Sequence, residues 1–186
     1  MEKLIGEADV FIHNFAPGAV DRLGFGHKRL RQAYPSLIVC EISGYGSTGP
    51  YREKKAYDAL VQAEAGLFSI TGTEETPSKA GISVADIAAG MYAYSSILGA
   101  LFARSQTGHG TVLEVSLFES LAEWMGYAYY FTMGGKAPAR NGSSHAAIAP
   151  YGLFLTRDDS TVMLGIQNER EWQRFCEVVL DKPEMA

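Results

Sequence analysis

Cysteine is scarce: Cys40 and Cys176 are the only two in 186 residues, and they form no C-x-x-C pair. The sequence therefore offers neither a disulfide framework nor a zinc knuckle, and a reducing, cytoplasmic setting is the expectation. Histidine is nearly as sparse. His13, His27, His109 and His145 show no H-x-x-x-H spacing and no accompanying carboxylate cluster, so no metal site is expected. Basic charge is short, with 16 Lys and Arg against 21 Asp and Glu and a net charge of −5. The densest cationic run, "HKRLR" at 27–31, is too short to track a phosphate backbone, and no nucleic-acid partner is expected. No uninterrupted apolar run approaches the roughly 18 residues that a bilayer span requires, and the first residues lack the charged-then-apolar pattern of a leader. No membrane partner is expected. A G-x-S-x-G nucleophile elbow is also missing, and "NGSSH" at 141–145 lacks the strand-to-helix setting such an elbow needs, which sets serine hydrolase chemistry aside.

With 47% apolar and 20% charged residues, the chain has enough material for the core of one domain, or of one domain and a piece. Two short apolar runs, "ADVFIH" at 8–13 and "SLIVCEIS" at 36–43, are rich in Val and Ile and bounded by turn residues, as strands buried on both faces should be. Between them, Leu23, Leu30 and Ala33 fall at helical spacing and Pro35 closes the unit. That is a β-α-β crossover, which predicts a parallel sheet with helices on its faces. A helix over "AYDALVQAEAG" ends at Gly66, and the longest periodic segment runs from Asp86 to Thr107 and Gly108 with Ile87, Met91, Tyr94, Ile97 and Leu101 as its stripe. A strand at 111–116 follows, then one long helix with an aromatic stripe that reads as core, a loop from Gly134 to Pro150, a hairpin and a last helix. The first residues resemble the end of a helix entering a strand, and the last stop just after a helix. The expectation is a piece of a longer protein.

Gly44, Gly46 and Gly49 spell G-x-G-x-x-G directly after the second strand. A dinucleotide fingerprint requires the helix to begin inside the motif, so that its amides meet a pyrophosphate, with an acid about 20 residues on. Glu64 has that spacing, but it sits in a helical pattern, and Pro50 and "YREKK" stand where an apolar helix should start. The glycines read better as a strand-exit turn.

Asp86 lies among small residues in "SVADIAAG", at the start of the long helix. Two readings are open. As an N-cap it stabilises the helix by about 1 kcal/mol. As a nucleophile it uses the space left by Ala85, Ala88, Ala89 and Gly90, and the helix-end amides stabilise charge on it or on an adduct.

Taken together, "FIHNFAPGAVDRLGFG", "ISGYGSTGPY", "KKAYDALVQAEAG", "ADIAAGMYAYSSILGALFARSQTGHG", "EVSLFES" and the terminal "PYGLF…MLGIQNEREWQRFCE" resemble, in order, the class III coenzyme A transferases of the CaiB/BaiF type. That group includes formyl-CoA transferase, carnitine CoA-transferase and 2-methylacyl-CoA racemase. The resemblance implies an α/β fold with a Rossmann-like parallel sheet over 1–138 and the beginning of a smaller domain over 139–186, within an interlocked homodimer of chains about twice as long. It implies Asp86 as the nucleophile, acyl-CoA and a small carboxylic acid as partners, and coenzyme A as substrate with no tightly bound cofactor. Asn14, Phe15, Ala19 and Arg22 match one CoA-binding segment, and Lys55, Ala56 and Tyr57 a second. Arg140, Gly142 and His145 fall where a substrate loop or lid would be, and a second carboxylate of a dicarboxylic acid would meet Arg140 and His145. The racemases of the group carry a histidine where Tyr57 stands. A phenol with a pKa near 10 is a poor base at neutral pH, which favours transfer over racemisation. A non-catalytic nucleotide-binding or assembly module is the reading from outside enzymology.

Overall fold

The computed structural model describes residues 1–186. Three strands, β1 (Val10–His13), β2 (Ile38–Ser43) and β3 (Val112–Ser116), form a parallel sheet in the order β1-β2-β3. Val10 lies opposite Ile38, His13 opposite Glu41, and Ser43 opposite Ser116. Parallel neighbours need crossovers, and helices supply them. A short α1 (Glu2–Gly6) precedes β1. The β1–β2 crossover holds α2 (Ala19–Arg22) and α3 (His27–Ala33); the β2–β3 crossover holds α4 (Asp58–Glu64), α5 (Leu67–Ile70) and α6 (Val84–Thr107). The mixed α/β class expected from the alternation is the observed one.

The core follows the period of two along β2. Val39 packs with Ile5, Leu30 and Leu37 on one face, while Cys40 packs with Ala89, Ala93 and Val115 of α6 and β3 on the other. Helices thus cover both faces of the sheet. Burial on both faces is complete only for Ile38, Val39 and Cys40 of the central strand; β1 is an edge, and its Ile12 is half exposed.

Several expectations change. The first crossover is two helices, because Gly24 takes a left-handed φ of +81° and breaks the run. Leu23 therefore points to solvent at 59% exposure, whereas Leu30 is fully buried. In α6 the first half of the large apolar stripe lies outward, with Ile87, Met91 and Tyr94 exposed and Ala85, Ala88, Ala89 and Ala93 buried, while Ile97 packs against the Cys40 cluster as expected and Leu101 is half-buried. Small side chains let the helix axis approach the sheet closely. This 24-residue helix is long and apolar enough to cross a membrane by length and composition, although serine, tyrosine and glycine interrupt its apolar runs; here its alanine face packs on β2 and β3. The segment after β3 is also two helices, α7 (Leu117–Trp124) and α8 (Gly126–Met133), separated at Met125. Ser116 Oγ caps α7 by accepting the Glu119 amide at 3.1 Å and donating to Glu119 Oε2 at 2.8 Å. The aromatic stripe of α8 is not core, since Tyr127, Tyr129 and Tyr130 are exposed.

Beyond the loop lie the expected hairpin, β4 (Tyr151–Leu155) antiparallel to β5 (Thr161–Gly165), and α9 (Glu169–Val178), whose N-terminus Asn168 Oδ1 caps through the Glu171 amide at 3.0 Å. At the far end of α6, Arg104 reaches Asp9 Oδ1 at 2.7 Å and the Ser36 carbonyl at 3.1 Å, both just ahead of strands. The opposite end of α6, with Asp86, consequently lies toward the carboxyl ends of the strands.

Candidate active site

Ligands of open α/β sheets gather outside the carboxyl ends of the strands, and the glycine turn leaves β2 at that edge. No helix begins within it; α4 starts only at Asp58. Gly46 and Gly49 take φ of +84° and +82°, so they shape a turn. A methyl group on Gly44 would collide with the Ala56 side chain, because the returning chain presses against the strand end. Glu64, the acid at dinucleotide spacing, is paired with Lys54 at 2.6 Å on α4. The geometry has no helix end to receive a pyrophosphate, and the strand-exit reading stands.

The turn delivers Lys55, Ala56 and Tyr57 to the start of α4. Lys55 Nζ lies 5.0 Å from the Tyr57 ring centroid, and both side chains are exposed. The next residue, half-buried Asp58, turns toward α6. Its Oδ1 accepts the Ala85 amide at 2.8 Å and the Asp86 amide at 3.4 Å, while its Oδ2 accepts Gln62 Nε2 at 2.6 Å. Asp58 thus does the capping work for α6, whose own N-cap residue Ser83 makes no side-chain bond. Asp86 is not the N-cap; it sits within the first turn, exposed, with its carboxylate free of the capping duty. Partial desolvation of that carboxyl, followed by the charge of Asp58, raises its pKa above the ordinary carboxylate value despite the helix end. A more basic carboxylate is a better nucleophile.

Of the other residues singled out in the sequence, Asn14 and Phe15 follow β1 and are exposed, Ala19 is half-buried, and Arg22 is exposed on α2. They form a second group at the same sheet edge. Arg140 and Gly142 are tied elsewhere: Arg140 donates to the carbonyls of Thr73 and Glu74 at 2.8 and 2.6 Å, and the Gly142 amide to the Gly72 carbonyl at 2.8 Å. His145 Nδ1 accepts the amides of Ala147 and Ile148 at 3.1 and 3.0 Å, and its ring stacks on Tyr151. Loop 140–148 is strapped to the 72–77 turn and engages these side chains internally.

A cavity of roughly 260 Å³ between the two strand exits escapes sequence reasoning. Phe15 walls it, and His13, His27 and Glu41 line its floor. His27 Nδ1 lies 3.2 Å from Glu41; the His13 side chain is 8% exposed, 3.4 Å from the same oxygen, and neither of its ring nitrogens has a hydrogen-bond partner. Asp21, Glu41, Glu53 and Glu114 outnumber Arg52 around it, so this cavity suits hydrogen-bond donors better than phosphates. The sequence signal for it exists only in the β1–β2 register, which sets His13 beside Glu41.

A parallel sheet flanked by helices, with charged and aromatic loops and a first-turn carboxylate collected at its carboxyl edge, defines an α/β protein with a candidate site at that edge. The chain belongs to CoA-transferase family III, whose sequence profile matches residues 1–186. It is 34% identical over 187 residues to human succinyl-CoA:glutarate CoA-transferase, covering 100% of this chain and 42% of that protein. It is 36% identical over 187 residues to acetyl-CoA:oxalate CoA-transferase of Acetobacter aceti, covering 99% and 48%. Among solved structures, a CAIB/BAIF family protein from Brucella suis superposes with a TM-score of 0.87 at 34% identity, covering 99% of this chain and 49% of that one. The chain spans a little under half the length of these relatives.

Proposed function

We propose that these residues form the CoA-binding and nucleophile-bearing part of a family III transferase that moves coenzyme A from an acyl-CoA to a free carboxylic acid. The observation that carries the reading is the placement of Asp86: exposed, in the first turn of α6, with its basicity raised and its neighbour Asp58 already occupied in capping. In this scheme the Asp86 carboxylate attacks the thioester carbonyl, and the C–S bond breaks to give an aspartyl-acyl anhydride and CoA thiolate. The thiolate attacks the aspartyl carbonyl, releasing the first acid and leaving aspartyl-CoA thioester. An incoming carboxylate attacks that thioester, forms a second anhydride and frees the thiolate again; the thiolate then takes the new acyl group and regenerates Asp86. Atoms and charge balance at each step, and no metal or redox group is required.

Lys55 and Arg22 serve the CoA phosphates, Phe15 its adenine or pantetheine, and Asn14, Ala19, Ala56 and Tyr57 complete the contacts. The names of the relatives, which include glutarate and oxalate transferases, support a dicarboxylic acceptor. Arg140 and His145 are poor candidates for reading its second carboxylate, because Arg140 is bonded to the carbonyls of Thr73 and Glu74 and His145 to amides of its own loop. Tyr57 supports transfer over α-proton exchange. The acting form, in this proposal, is a homodimer of family-length chains, and the 186 residues alone transfer no CoA. Asp86→Ala in a family-length protein carrying these residues abolishes turnover in the scheme; unchanged turnover would leave a binding or assembly module as the better description. Retention of deuterium at the α-carbon of a 2-methylacyl-CoA separates transfer from racemisation.

A further inference from the structure

Gln62 is the only polar side chain with no solvent exposure at all in the fold, and the site as described gives it no role. Every hydrogen-bonding position of its amide that faces a partner is used. Nε2 donates to Asp58 Oδ2 at 2.6 Å, one turn back on α4, and to the Ile82 carbonyl at 3.3 Å; Oε1 accepts the Ala80 amide at 2.8 Å. Ala80 and Ile82 belong to the segment that leads through Ser83 into α6. The amide therefore holds two things with one group: the carboxylate that caps α6, and the strand of backbone that enters it. Burying such a group is costly unless its bonds are all made, which ties its orientation to both partners at once.

We infer that Gln62 is a positioning residue for the nucleophile: by fixing the Asp58 carboxylate and the 80–82 segment together, it sets where the first turn of α6, and hence Asp86, stands at the sheet edge. The inference rests on the proposed nucleophilic role of Asp86. Its chemistry is that of orientation, since a displaced attacking carboxylate loses rate while the CoA contacts of Lys55 and Tyr57, on the near side of α4, are left in place. Asp58 cannot do this unaided, because a carboxylate with only amide partners on one oxygen is free to swing about its χ angles. Gln62 supplies the second point of attachment.

The test compares Gln62→Glu with the swapped pair Asp58→Asn/Gln62→Glu, in a family-length protein carrying these residues. In Gln62→Glu two carboxylates face one another where a hydrogen bond stood, and the cap is pushed away from Ala85. In the swapped pair the amide at 58 donates to the carboxylate at 62, its oxygen still accepts the Ala85 amide, and the carboxylate still accepts the Ala80 amide; only the donation to the Ile82 carbonyl, the longest of the Gln62 bonds, is not restored. The expected result is a fall in kcat of about tenfold or more in Gln62→Glu with KM for acyl-CoA within about threefold, and partial recovery of that loss in the swapped pair, which restores the bond between positions 58 and 62 but not the one to Ile82. A kcat for Gln62→Glu within about twofold of the parent overturns the inference, as does a folded swapped pair no more active than the single variant. If Gln62→Glu does not fold, the swapped pair decides alone: folded and active supports positioning, folded and inactive overturns it. Failure of both to fold also overturns it, in favour of a purely structural role. Asp86→Asn, assayed in parallel, separates the two levels. Turnover by Asp86→Asn removes the nucleophile itself, whereas an inactive Asp86→Asn beside an unimpaired Gln62→Glu removes only the positioning role.

Discussion

The Asp58 carboxylate accepts the backbone amide of Ala85 at 2.8 Å across 27 positions of sequence, so α6 begins under a cap supplied by α4. Asp58→Ala leaves the first amides of α6 without that partner in a half-buried place. A loss of about 1–2 kcal/mol is expected in denaturant melts, where Ser83→Ala should cost almost nothing because its side chain makes no cap bond.

Asp86 gives a pH prediction whose sign is fixed by the direction of its shift. Burial and then Asp58 raise its pKa, so the folded protein holds the Asp86 proton more tightly than the unfolded chain. This group's contribution is most favourable below the ordinary carboxylate value and is lost as pH rises through the raised one. Melting of wild type and Asp86→Asn across the acid range should diverge in that window, with the variant gaining relative stability as pH rises and the difference levelling off above it. A difference that stays flat with pH contradicts the shift.

The two glycine positions of the turn should fail for different reasons. Gly44→Ala drives a methyl group into Ala56 and should cost about 1–3 kcal/mol while displacing the Lys55–Tyr57 segment. Gly46→Ala meets open space and loses only by its left-handed backbone, about 1–2 kcal/mol. On the proposed CoA role of Lys55 and Tyr57, CoA affinity distinguishes them: weakened in the first variant, nearly unchanged in the second.

The first crossover offers a direct check of which leucine is core. Leu30→Ala should destabilise by about 2–5 kcal/mol, and Leu23→Ala by less than about 0.5 kcal/mol. Equal effects would mean that the crossover is one continuous helix after all.

That pair also illustrates how far the sequence could be read. Strand positions, the crossover pattern, the hairpin and the caps at Gly66 and Gly108 were legible because they depend on local chemistry, on period-two apolar runs and on glycine's access to positive φ. What misled was periodicity taken as a sign of burial. In α6 the large residues Ile87, Met91 and Tyr94 form the more conspicuous stripe, yet the alanines face the sheet, because close approach to β2 and β3 requires small side chains. The candidate site divides in the same way. Asp86, Lys55 and Tyr57 stood out through their surroundings and the family resemblance, but the Asp58–Gln62 cap and the His13–Glu41–His27 cavity depend on contacts between distant segments that no local pattern announces.

The strap on loop 140–148 predicts that Arg140→Ala frees the loop. Amide exchange at Gly142 and proteolysis between residues 136 and 148 should both accelerate, since two carbonyl contacts from Arg140 hold the loop beside the amide bond of Gly142 to Gly72. Unchanged exchange would show that the backbone bond suffices.

The central claim is that Asp86 carries the transferred group, and mass spectrometry of a family-length protein containing these residues tests it most directly. After incubation with acyl-CoA and no acceptor acid, the account predicts a CoA-sized adduct on the peptide bearing Asp86, removed by hydroxylamine and absent from Asp86→Asn. An active protein whose adduct maps to any other residue, or that turns over fully as Asp86→Asn, contradicts it.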